Sequence, residues 1–327
     1  MRIAIVGAGA IGAWLGVRLA KAGQEVSVLA RGETLAAVRE RGLRLVIGGE
    51  TRAANVTVSD RAAELGKQDL VVLAVKGQAL AGVAEAVAEL LGEQTTILSA
   101  MNGIPWWFFH GLPVTYAGTS LRSVDPDGFV SRWMPPARVL GAVVHASCSV
   151  QTPGCSIHKS GNGLIIGEPA GGTSARLEAV VAALRGANFD VTVSSQIQKD
   201  IWYKLWGNMT MNPISALTAA TCDLILDDPL VRGFILRVMT EAAAIGARIG
   251  CPITESGEDR MAVTRKLGAF KTSMLQDAEA GRSLEIDALV AAPREIGRLV
   301  GVETPNMDAL HGLIRLFASA RTGSTSR

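Results

Sequence analysis

The feature that most constrains this chain is a glycine-rich turn close to its N-terminus. The turn follows an apolar run predicted as a strand over 2–6 and opens a predicted helix over 11–22. Its residues are Gly7, Ala8, Gly9, Ala10, Ile11 and Gly12, which match the pattern G-x-G-x-x-G. In that pattern the first glycine allows a tight turn, the second lets the backbone approach a pyrophosphate, and the third lets helix and strand pack closely. Strand, turn and helix together predict a dinucleotide site, with the anion at the helix N-terminus.

The first half of the chain alternates short apolar runs with helical stretches. Alternation at this spacing predicts a parallel sheet whose strands are joined by right-handed crossovers. A Pro–Gly pair at 153–154 predicts a turn between further strands. The predicted strands are 2–6, 25–30, 70–75, 96–100, 137–149, 154–158, 163–167 and 189–193, and the predicted helices are 11–22, 35–41, 80–91 and 174–184.

From about residue 197 the pattern changes to helical periodicity, with turn signals between the segments. The predicted helices are 201–220, 230–250, 258–280, 284–300 and 306–320. A length of 327 residues also suits two domains. We therefore predict an α/β chain in which a Rossmann-type parallel-sheet domain over 1–196 precedes an all-helical domain over 197–320, with a disordered tail over 321–327. Apolar faces of the helical domain are candidates for a homodimer contact.

Composition excludes several function classes. Lys and Arg total 32 against 30 Asp and Glu, so the net charge of +2 leaves no excess positive charge for binding a nucleic-acid backbone. No apolar run reaches the ~18 residues that a membrane span requires, and Arg18 interrupts the apolar N-terminal segment. The four cysteines form no C-x-x-C pair and the four histidines no H-E-x-x-H motif, which argues against a metal site. These features predict a cytoplasmic enzyme that acts on a small molecule.

The end of the second predicted strand indicates which dinucleotide is bound. An NAD site favours Asp or Glu there, because a carboxylate accepts a hydrogen bond from the ribose hydroxyl. This chain has Arg31 instead, and a guanidinium can pair with the 2′-phosphate of NADP. Arg31 therefore favours NADP(H), although a solvated surface arginine is the alternative interpretation.

Polar residues recur at helical spacing in the segment W-Y-K-L-W-G-N-M-T-M-N-P. Lys204, Asn208 and Asn212 share one helix face, among bulky residues expected in the core. Such polar groups are costly there unless they face a polar cleft, although an ordinary solvated stripe is the alternative. Lys76 and Asn102 each follow a predicted strand, at the edge of a parallel sheet where open α/β folds bind ligands. The pattern predicts a cleft between the two domains.

Together these elements resemble the ketopantoate reductase (2-dehydropantoate 2-reductase) family over nearly the whole chain. The most specific are K-L-x-x-N-x-x-x-N-P, S-M-L-Q-D and G-R-x-x-E-I-D, which follow the glycine turn, Arg31, Lys76 and Asn102-Gly103 in the family's order. The resemblance implies a Rossmann domain followed by a helical domain similar to the C-terminal part of 6-phosphogluconate dehydrogenase. It also implies NADPH-dependent reduction of ketopantoate to D-pantoate, a step toward pantothenate and coenzyme A.

The same resemblance implies roles for residues at matching positions. Lys204 matches the family's catalytic lysine, which donates a proton to the keto oxygen of the substrate. Glu285 matches its acidic partner, which orients the lysine and touches the cofactor ribose or the substrate hydroxyl. The implied substrate-binding residues are Asn102, Asn208, Asn212 and Ser273. The implied cofactor-binding residues are those of the glycine turn from Gly7 to Gly12, together with Arg31, Lys76, Asn102 and Glu285.

Two features depart from the family pattern. Cys222 stands where the pantoate enzymes typically carry another asparagine that contacts the substrate's terminal hydroxyl, and a thiol replaces an amide poorly. Asn102-Gly103 is followed by a bulky apolar loop with the run Pro105-Trp106-Trp107, which either packs on the surface or forms a reshaped pocket or a lid. A paralogous reductase or dehydrogenase of another small 2-oxo or hydroxy acid is therefore the main alternative. A non-catalytic NADP-binding sensor is a minor one.

Overall fold

The computed structural model describes residues 1–112 and 114–323, and its centre is a ten-stranded sheet. Six neighbouring strands of this sheet run parallel, so the parallel sheet predicted from the alternating apolar runs is confirmed for this part. The strands are β1 (Arg2–Val6), β2 (Glu25–Leu29), β3 (Leu43–Ile47), β4 (Glu50–Ala54), β5 (Thr57–Ser59), β6 (Gln68–Leu73), β7 (Leu91–Ser99), β8 (Val139–Thr152), β9 (Cys155–Gly167) and β10 (Asp190–Val193). The parallel part has the order β5-β2-β1-β6-β7-β8.

Both faces of the parallel part are buried. Because successive side chains of a strand point to opposite faces, Ile3 and Ile5 of β1 pack into one core, while Ala4 and Val6 pack into another. Strands buried on both faces form nearly continuous apolar runs, which is why the sequence revealed them. The helices of this half are α1 (Ala10–Lys21), α2 (Gly32–Arg41), α3 (Ala84–Leu90), α4 (Phe129–Trp133) and α5 (Ala175–Gly186).

The rest of the sheet was predicted less completely. Strands β8 and β9 form a long antiparallel hairpin, β3 and β10 run parallel to β9, and β4 pairs antiparallel with β3. Strand β9 unites the two strands predicted over 154–158 and 163–167. The predictions missed β3, β4 and β5. In β4 the residues from Glu50 to Ala53 are exposed, and β5 has only three residues, so neither carries a long buried apolar run.

The second half of the chain is helical, as predicted. A π-helical turn at Asp287–Ala291 precedes the helix that follows it. No helix in the described part of the chain is long and apolar enough to cross a lipid bilayer. The helices are α6 (Ile197–Thr218), α7 (Cys222–Asp227), α8 (Pro229–Arg248), α9 (Gly257–Arg265), α10 (Ser273–Glu279), α11 (Ala292–Leu299) and α12 (Pro305–Gly323).

Several helix limits differ from the predictions. The helix predicted over 258–280 is two helices, because the chain turns at Gly268, where φ is +61°. Thr272 then caps α10, its hydroxyl accepting a hydrogen bond from the Leu275 N–H at 3.2 Å. The short helix α7 was not predicted. Helix α12 extends to Gly323, into the segment expected to be a disordered tail, and residues 324–327 lie outside the described part of the chain.

Helix α6 lies at the centre of the helical half and packs against β8, α8, α10 and α12. Trp202 and Trp206 are buried, and their Nε1 atoms donate hydrogen bonds to the carbonyls of Ala242 and Met239 on α8, at 3.3 and 2.8 Å. The same hydrophobic core continues onto one face of the sheet. These contacts fix the helix that carries Lys204 relative to the edge of the sheet.

Candidate active site

Four predicted site elements lie at one edge of the parallel sheet. The glycine turn follows β1, Arg31 follows β2, Lys76 follows β6 and Asn102 follows β7. These strands are neighbours in the order β7-β6-β1-β2 and run in the same direction. Their carboxyl ends therefore meet at one edge, which is where open α/β sheets bind ligands.

The glycine turn has the shape that a pyrophosphate site requires. Gly7 has a φ of +90°, which residues with a side chain rarely adopt. A Cβ on Gly12 would lie 1.9 Å from the carbonyl oxygen of Gly7, whereas a Cβ on Gly9 would have no neighbouring atom within 4 Å. The backbone of Gly9 thus faces open space just before α1, whose first N–H groups have no partner within the helix. These residues fit a dinucleotide, and exposed Arg31 lies at the N-terminal end of α2 on the same edge.

Lys204 links helix α6 to the sheet. Its Nζ donates hydrogen bonds to Asn102 Oδ1 at 2.8 Å and to the carbonyl oxygen of Val144 at 2.7 Å. Burial lowers the pKa of Lys204 to about 8, and the charge of Glu285 opposes this shift. Because its ammonium group is held by polar partners where α6 meets the strands, the solvated-stripe interpretation does not hold for Lys204.

Glu285 joins the helical half to the loop that follows β6. Its Oε1 accepts a hydrogen bond from the backbone N–H of Gly77 at 3.2 Å. Burial raises the pKa of Glu285, while the Gly77 N–H and the Lys76 charge act in the opposite direction. Lys76 forms an ion pair with the buried carboxylate of Asp277 on α10. These contacts bring the helical half against the edge that carries the glycine turn.

Two cavities lie where the halves of the molecule meet. The smaller is lined by the polar side chains of Asn102, Lys204 and Asn208, together with apolar neighbours. The larger has a volume of about 210 Å³ and carries Glu285 in its wall. Met101 lines both cavities. The structure thus gathers the predicted catalytic lysine and two predicted substrate-binding asparagines in one cavity, and places Glu285 in the adjoining one.

Three of the residues singled out for the substrate side of the site line neither of these two cavities. Asn212 is buried one turn beyond Asn208, and Ser273 is exposed at the first residue of α10. Cys222 is buried in the core of the helical half, where its N–H donates to the Phe270 carbonyl at 3.0 Å. Burial also raises the pKa of the Cys222 thiol to about 11. The proposed substrate contacts of Asn212 and Ser273 stay predictions.

The bulky apolar loop after Asn102 forms part of a cavity wall. Pro105 and Trp106 line the larger cavity. Trp106 is 4% exposed and its Nε1 donates to the carbonyl of Met134 at 3.0 Å, while Trp107 is 1% exposed and lies in the core. The loop therefore packs into the core and forms part of a cavity wall, and its effect on the shape of the substrate pocket stays a prediction.

Two groups at the site carried no signal in the sequence. Val144 accepts a hydrogen bond through its backbone carbonyl, which every residue type possesses. Only the packing of α6 against β8 reveals this contact. Arg260 on α9 lies against the same helix at Gly207. Within the part of the chain that the structure describes, no group of His, Cys, Asp and Glu is arranged to hold a metal ion.

Comparison with known proteins connects this geometry to a family. A family profile described as ketopantoate reductase PanE/ApbA matches residues 3–171, and a profile described as the C-terminal part of ketopantoate reductase PanE/ApbA matches residues 196–318. A curated protein of Mesorhizobium japonicum named 2-dehydropantoate 2-reductase is 42% identical over 322 residues. That match covers 98% of this chain and 99% of the relative.

Solved structures give the same result for the fold. A candidate ketopantoate reductase from Ralstonia solanacearum MolK2 is 55% identical, with a TM-score of 0.94 and a match over 98% of each chain. The 2-dehydropantoate 2-reductase of Methylococcus capsulatus is 27% identical, with a TM-score of 0.83 and the same coverage of both chains. Because these similarities and the two profiles extend over nearly the full length, the chain belongs to the ketopantoate reductase family.

Proposed function

We propose that this protein is an NADPH-dependent reductase that converts the 2-oxo acid 2-dehydropantoate (ketopantoate) to D-pantoate. One observation carries the proposal: the ammonium group of Lys204 is hydrogen-bonded to Asn102 at the sheet edge that also bears the glycine turn. The named relatives at 42% and 27% identity support the choice of substrate. The proposal places the protein in the cytoplasm, in a step toward pantothenate and coenzyme A.

The residues of the site suit the reduction of a carbonyl group. When bound, NADPH supplies the hydride that reaches the carbonyl carbon. Lys204 donates a hydrogen bond and then a proton to the carbonyl oxygen, where negative charge develops. Asn102 and the Val144 carbonyl hold the ammonium in place before reaction, which reduces the cost of orienting it. In this proposal Glu285 positions Lys204 through its charge and contacts the cofactor ribose, and Asn208 contacts the substrate.

The pKa of Lys204 predicts how activity depends on pH. A proton donor must be protonated at the start of the reaction, and burial lowers the pKa of this lysine to about 8. We therefore expect kcat to be nearly constant from pH 6 to about 7 and to fall about tenfold per pH unit well above 8. Stopped-flow measurement of NADPH oxidation across this range tests the expectation. A rate that stayed constant up to pH 10 would contradict the assignment of Lys204 as the acid.

Arg31 predicts the choice between NADPH and NADH. We expect Arg31→Ser to raise the KM for NADPH by about 10- to 100-fold, because a charge-assisted contact to the 2′-phosphate is lost. The KM for NADH, which lacks that phosphate, should change little. The matched control is Arg39→Ser, which removes another exposed arginine of α2. If Arg31→Ser changed the KM for NADPH and the KM for NADH equally, Arg31 would not bind the 2′-phosphate.

The assigned reaction is tested by following NADPH oxidation with ketopantoate and a panel of small 2-oxo acids. The larger cavity has Trp106 in its wall, which supports a second candidate function. In that case the protein is a reductase whose best substrate is another 2-oxo acid. Ketopantoate turnover that exceeds the other acids by orders of magnitude dismisses that candidate. NADPH binding without turnover of any acid would instead favour a sensor.

Two further features of the protein stay proposals. The division into domains over 1–196 and 197–320 agrees with the start of α6 at Ile197. A homodimer is supported by exposed apolar side chains on α12, where Leu313 and Leu316 are 56% and 68% exposed. Analytical ultracentrifugation of the wild type and of a Leu313→Glu, Leu316→Glu variant decides whether this face mediates assembly.

A further inference from the structure

The side chain of Arg260 lies against the middle of helix α6. A Cβ added to Gly207 would come within 2.6 Å of Arg260 Nη2 and 3.0 Å of its Cζ. The guanidinium carbon also lies 5.4 Å from the ring centroid of Tyr203, one turn earlier on α6. Glycine in a helix interior is unfavourable. At position 207 it has a compensating effect, because the absence of a side chain lets the guanidinium lie directly against the helix backbone.

This guanidinium has few partners for its donors. Arg260 Nε is buried and makes no hydrogen bond, and Nη1 has one long contact of 3.4 Å to Thr264 Oγ1. None of the ion pairs among the described residues involves Arg260. The nearby carboxylate of Glu255 accepts a hydrogen bond from the Tyr203 hydroxyl at 2.5 Å. An arginine offers five donors, and buried donors are nearly always satisfied. The Arg260 guanidinium therefore has donors with which it can bind an anion from outside the chain.

Arg260 lies on the same side of α6 as Lys204. Asp200, Lys204 and Gly207 have the spacing i, i+4, i+7, which places them on one helix face. At ~1.5 Å of rise per residue, Gly207 lies about 4.5 Å along the axis from Lys204. The guanidinium that rests on Gly207 is therefore close to the proposed proton donor, and the Asp200 carboxylate on this face is already hydrogen-bonded to the Ser194 hydroxyl.

A residue on strand β8, opposite this helix face, also indicates that Arg260 lies near Lys204. His145 follows Val144 in β8, whose carbonyl accepts a hydrogen bond from Lys204. The pKa of His145 is lowered first by burial and then by the charges of Lys204 and Arg260, with Asp200 opposing. Both cations therefore lie close enough to His145 on β8 to act on its charge, which agrees with the contact of Arg260 with Gly207, three residues after Lys204.

We propose that Arg260 binds the carboxylate of the 2-oxo acid substrate while Lys204 faces the neighbouring keto oxygen. The inference rests on the proposed reductase function and assigns one further substrate-binding residue to it. A 2-oxo acid carries its carboxylate directly beside its carbonyl, so two cations one helical turn apart match the two oxygen-bearing groups. The planar fork of a guanidinium pairs with a carboxylate through two parallel hydrogen bonds. Arg260 thereby selects acids over neutral carbonyl compounds.

The first test compares an acid with its neutral counterpart. We expect Arg260→Gln to lower kcat/KM for the best 2-oxo acid by about 100-fold, mostly through KM, because a bidentate charged contact is lost. With the methyl ester of the same acid, which has no carboxylate, wild type and variant should differ by less than threefold. The Kd of NADPH should be unchanged. The control is Arg265→Gln, at the other end of α9, where the arginine pairs with Asp227.

A second variant leaves the arginine in place. In Gly207→Ala the new methyl group would meet the guanidinium, which is the flexible end of its side chain and can move aside. We expect the thermal midpoint to be no lower than that of wild type, since alanine favours a helix more than glycine does. The KM for the acid should rise about tenfold, because the guanidinium is displaced from its position beside Lys204.

The outcomes separate the inference from the proposed function. A wild type that reduces no 2-oxo acid contradicts the reductase assignment itself. An active wild type whose Arg260→Gln variant loses acid and ester turnover equally, or keeps its KM for the acid, overturns the role of Arg260. A raised Kd for NADPH in that variant would also overturn this role, because it would indicate that the guanidinium binds a phosphate of the cofactor. Binding of oxamate, an unreactive analogue of pyruvate, to the NADPH complex should weaken in parallel with the loss of acid turnover.

Discussion

A Lys204→Met variant is expected to bind NADPH like the wild type and to lose kcat by about 10³-fold. Positioned proton donors contribute about 10²- to 10⁴-fold to such reactions, and Lys204 also stabilises the developing charge on oxygen. Methionine has a side chain of similar length without the ammonium, so Asn102 Oδ1 and the Val144 carbonyl lose their common donor. Single-turnover oxidation of NADPH measures the effect without interference from product release.

Two further variants show whether the loss is specific. Lys199→Met removes an exposed lysine from the first turns of the same helix and should leave the rate unchanged. Lys204→Arg keeps the positive charge but replaces an ammonium of pKa about 8 with a guanidinium that does not release its proton in this range. We expect Lys204→Arg to lose most of the activity as well. If it retained more than half of kcat, Lys204 would act through its charge alone, and proton donation would have to be assigned to another group.

The second large effect is expected at the glycine turn, from Gly12→Ala. The new Cβ would lie 1.9 Å from the carbonyl oxygen of Gly7, which is a backbone atom and cannot move aside without opening the turn. Overpacking of this kind typically costs about 1–3 kcal/mol, so the free energy of unfolding should fall by about that amount. The displaced turn should also weaken NADPH binding by at least ~100-fold, since the pyrophosphate depends on backbone N–H groups held in position.

Gly9→Ala is the matched control within the same turn. Its Cβ would have no atom within 4 Å, and the backbone angles of Gly9, φ −78° and ψ −156°, suit alanine. Its thermal midpoint should equal that of wild type, while NADPH affinity should fall because the methyl group points into the space where the pyrophosphate is expected. Thermal unfolding with and without NADPH distinguishes the two variants. If Gly12→Ala unfolded and bound NADPH normally, the assignment of the turn would be wrong.

The sequence predicted those parts of the fold whose burial is complete. β1 and β6 are short apolar runs, and both are covered on two faces, so hydrophobicity alone marks them. β4 has the sequence E-T-R-A-A and is mostly exposed at the sheet edge, so it exists because β3 offers it hydrogen bonds. Pairing with a distant strand leaves no trace in such a short polar segment. For the same reason the sequence did not show that β9 continues through its polar middle.

At the candidate site the sequence identified side chains whose chemistry is unusual for their surroundings. Lys204 and Asn102 were predicted separately, one from helical spacing and the other from its place after a strand, and the fold joins them at 2.8 Å. Cys222 drew attention by its place in the family pattern, yet the structure buries it in the helical core. Position along a chain indicates which residues share a helix face, but it does not give the distance from that face to a cavity.

The residue pattern alone thus determined the dinucleotide turn, the parallel strands around it and the helix that carries Lys204. All three depend on interactions within a short stretch of chain: steric freedom at glycine, period-two burial in strands and the 3.6-residue repeat of a helix. The partners of Lys204, the approach of Arg260 to Gly207 and the wall built by Trp106 depended on the tertiary structure. Each is a contact between segments far apart in the chain, and such contacts form only after the cores fix where every element lies.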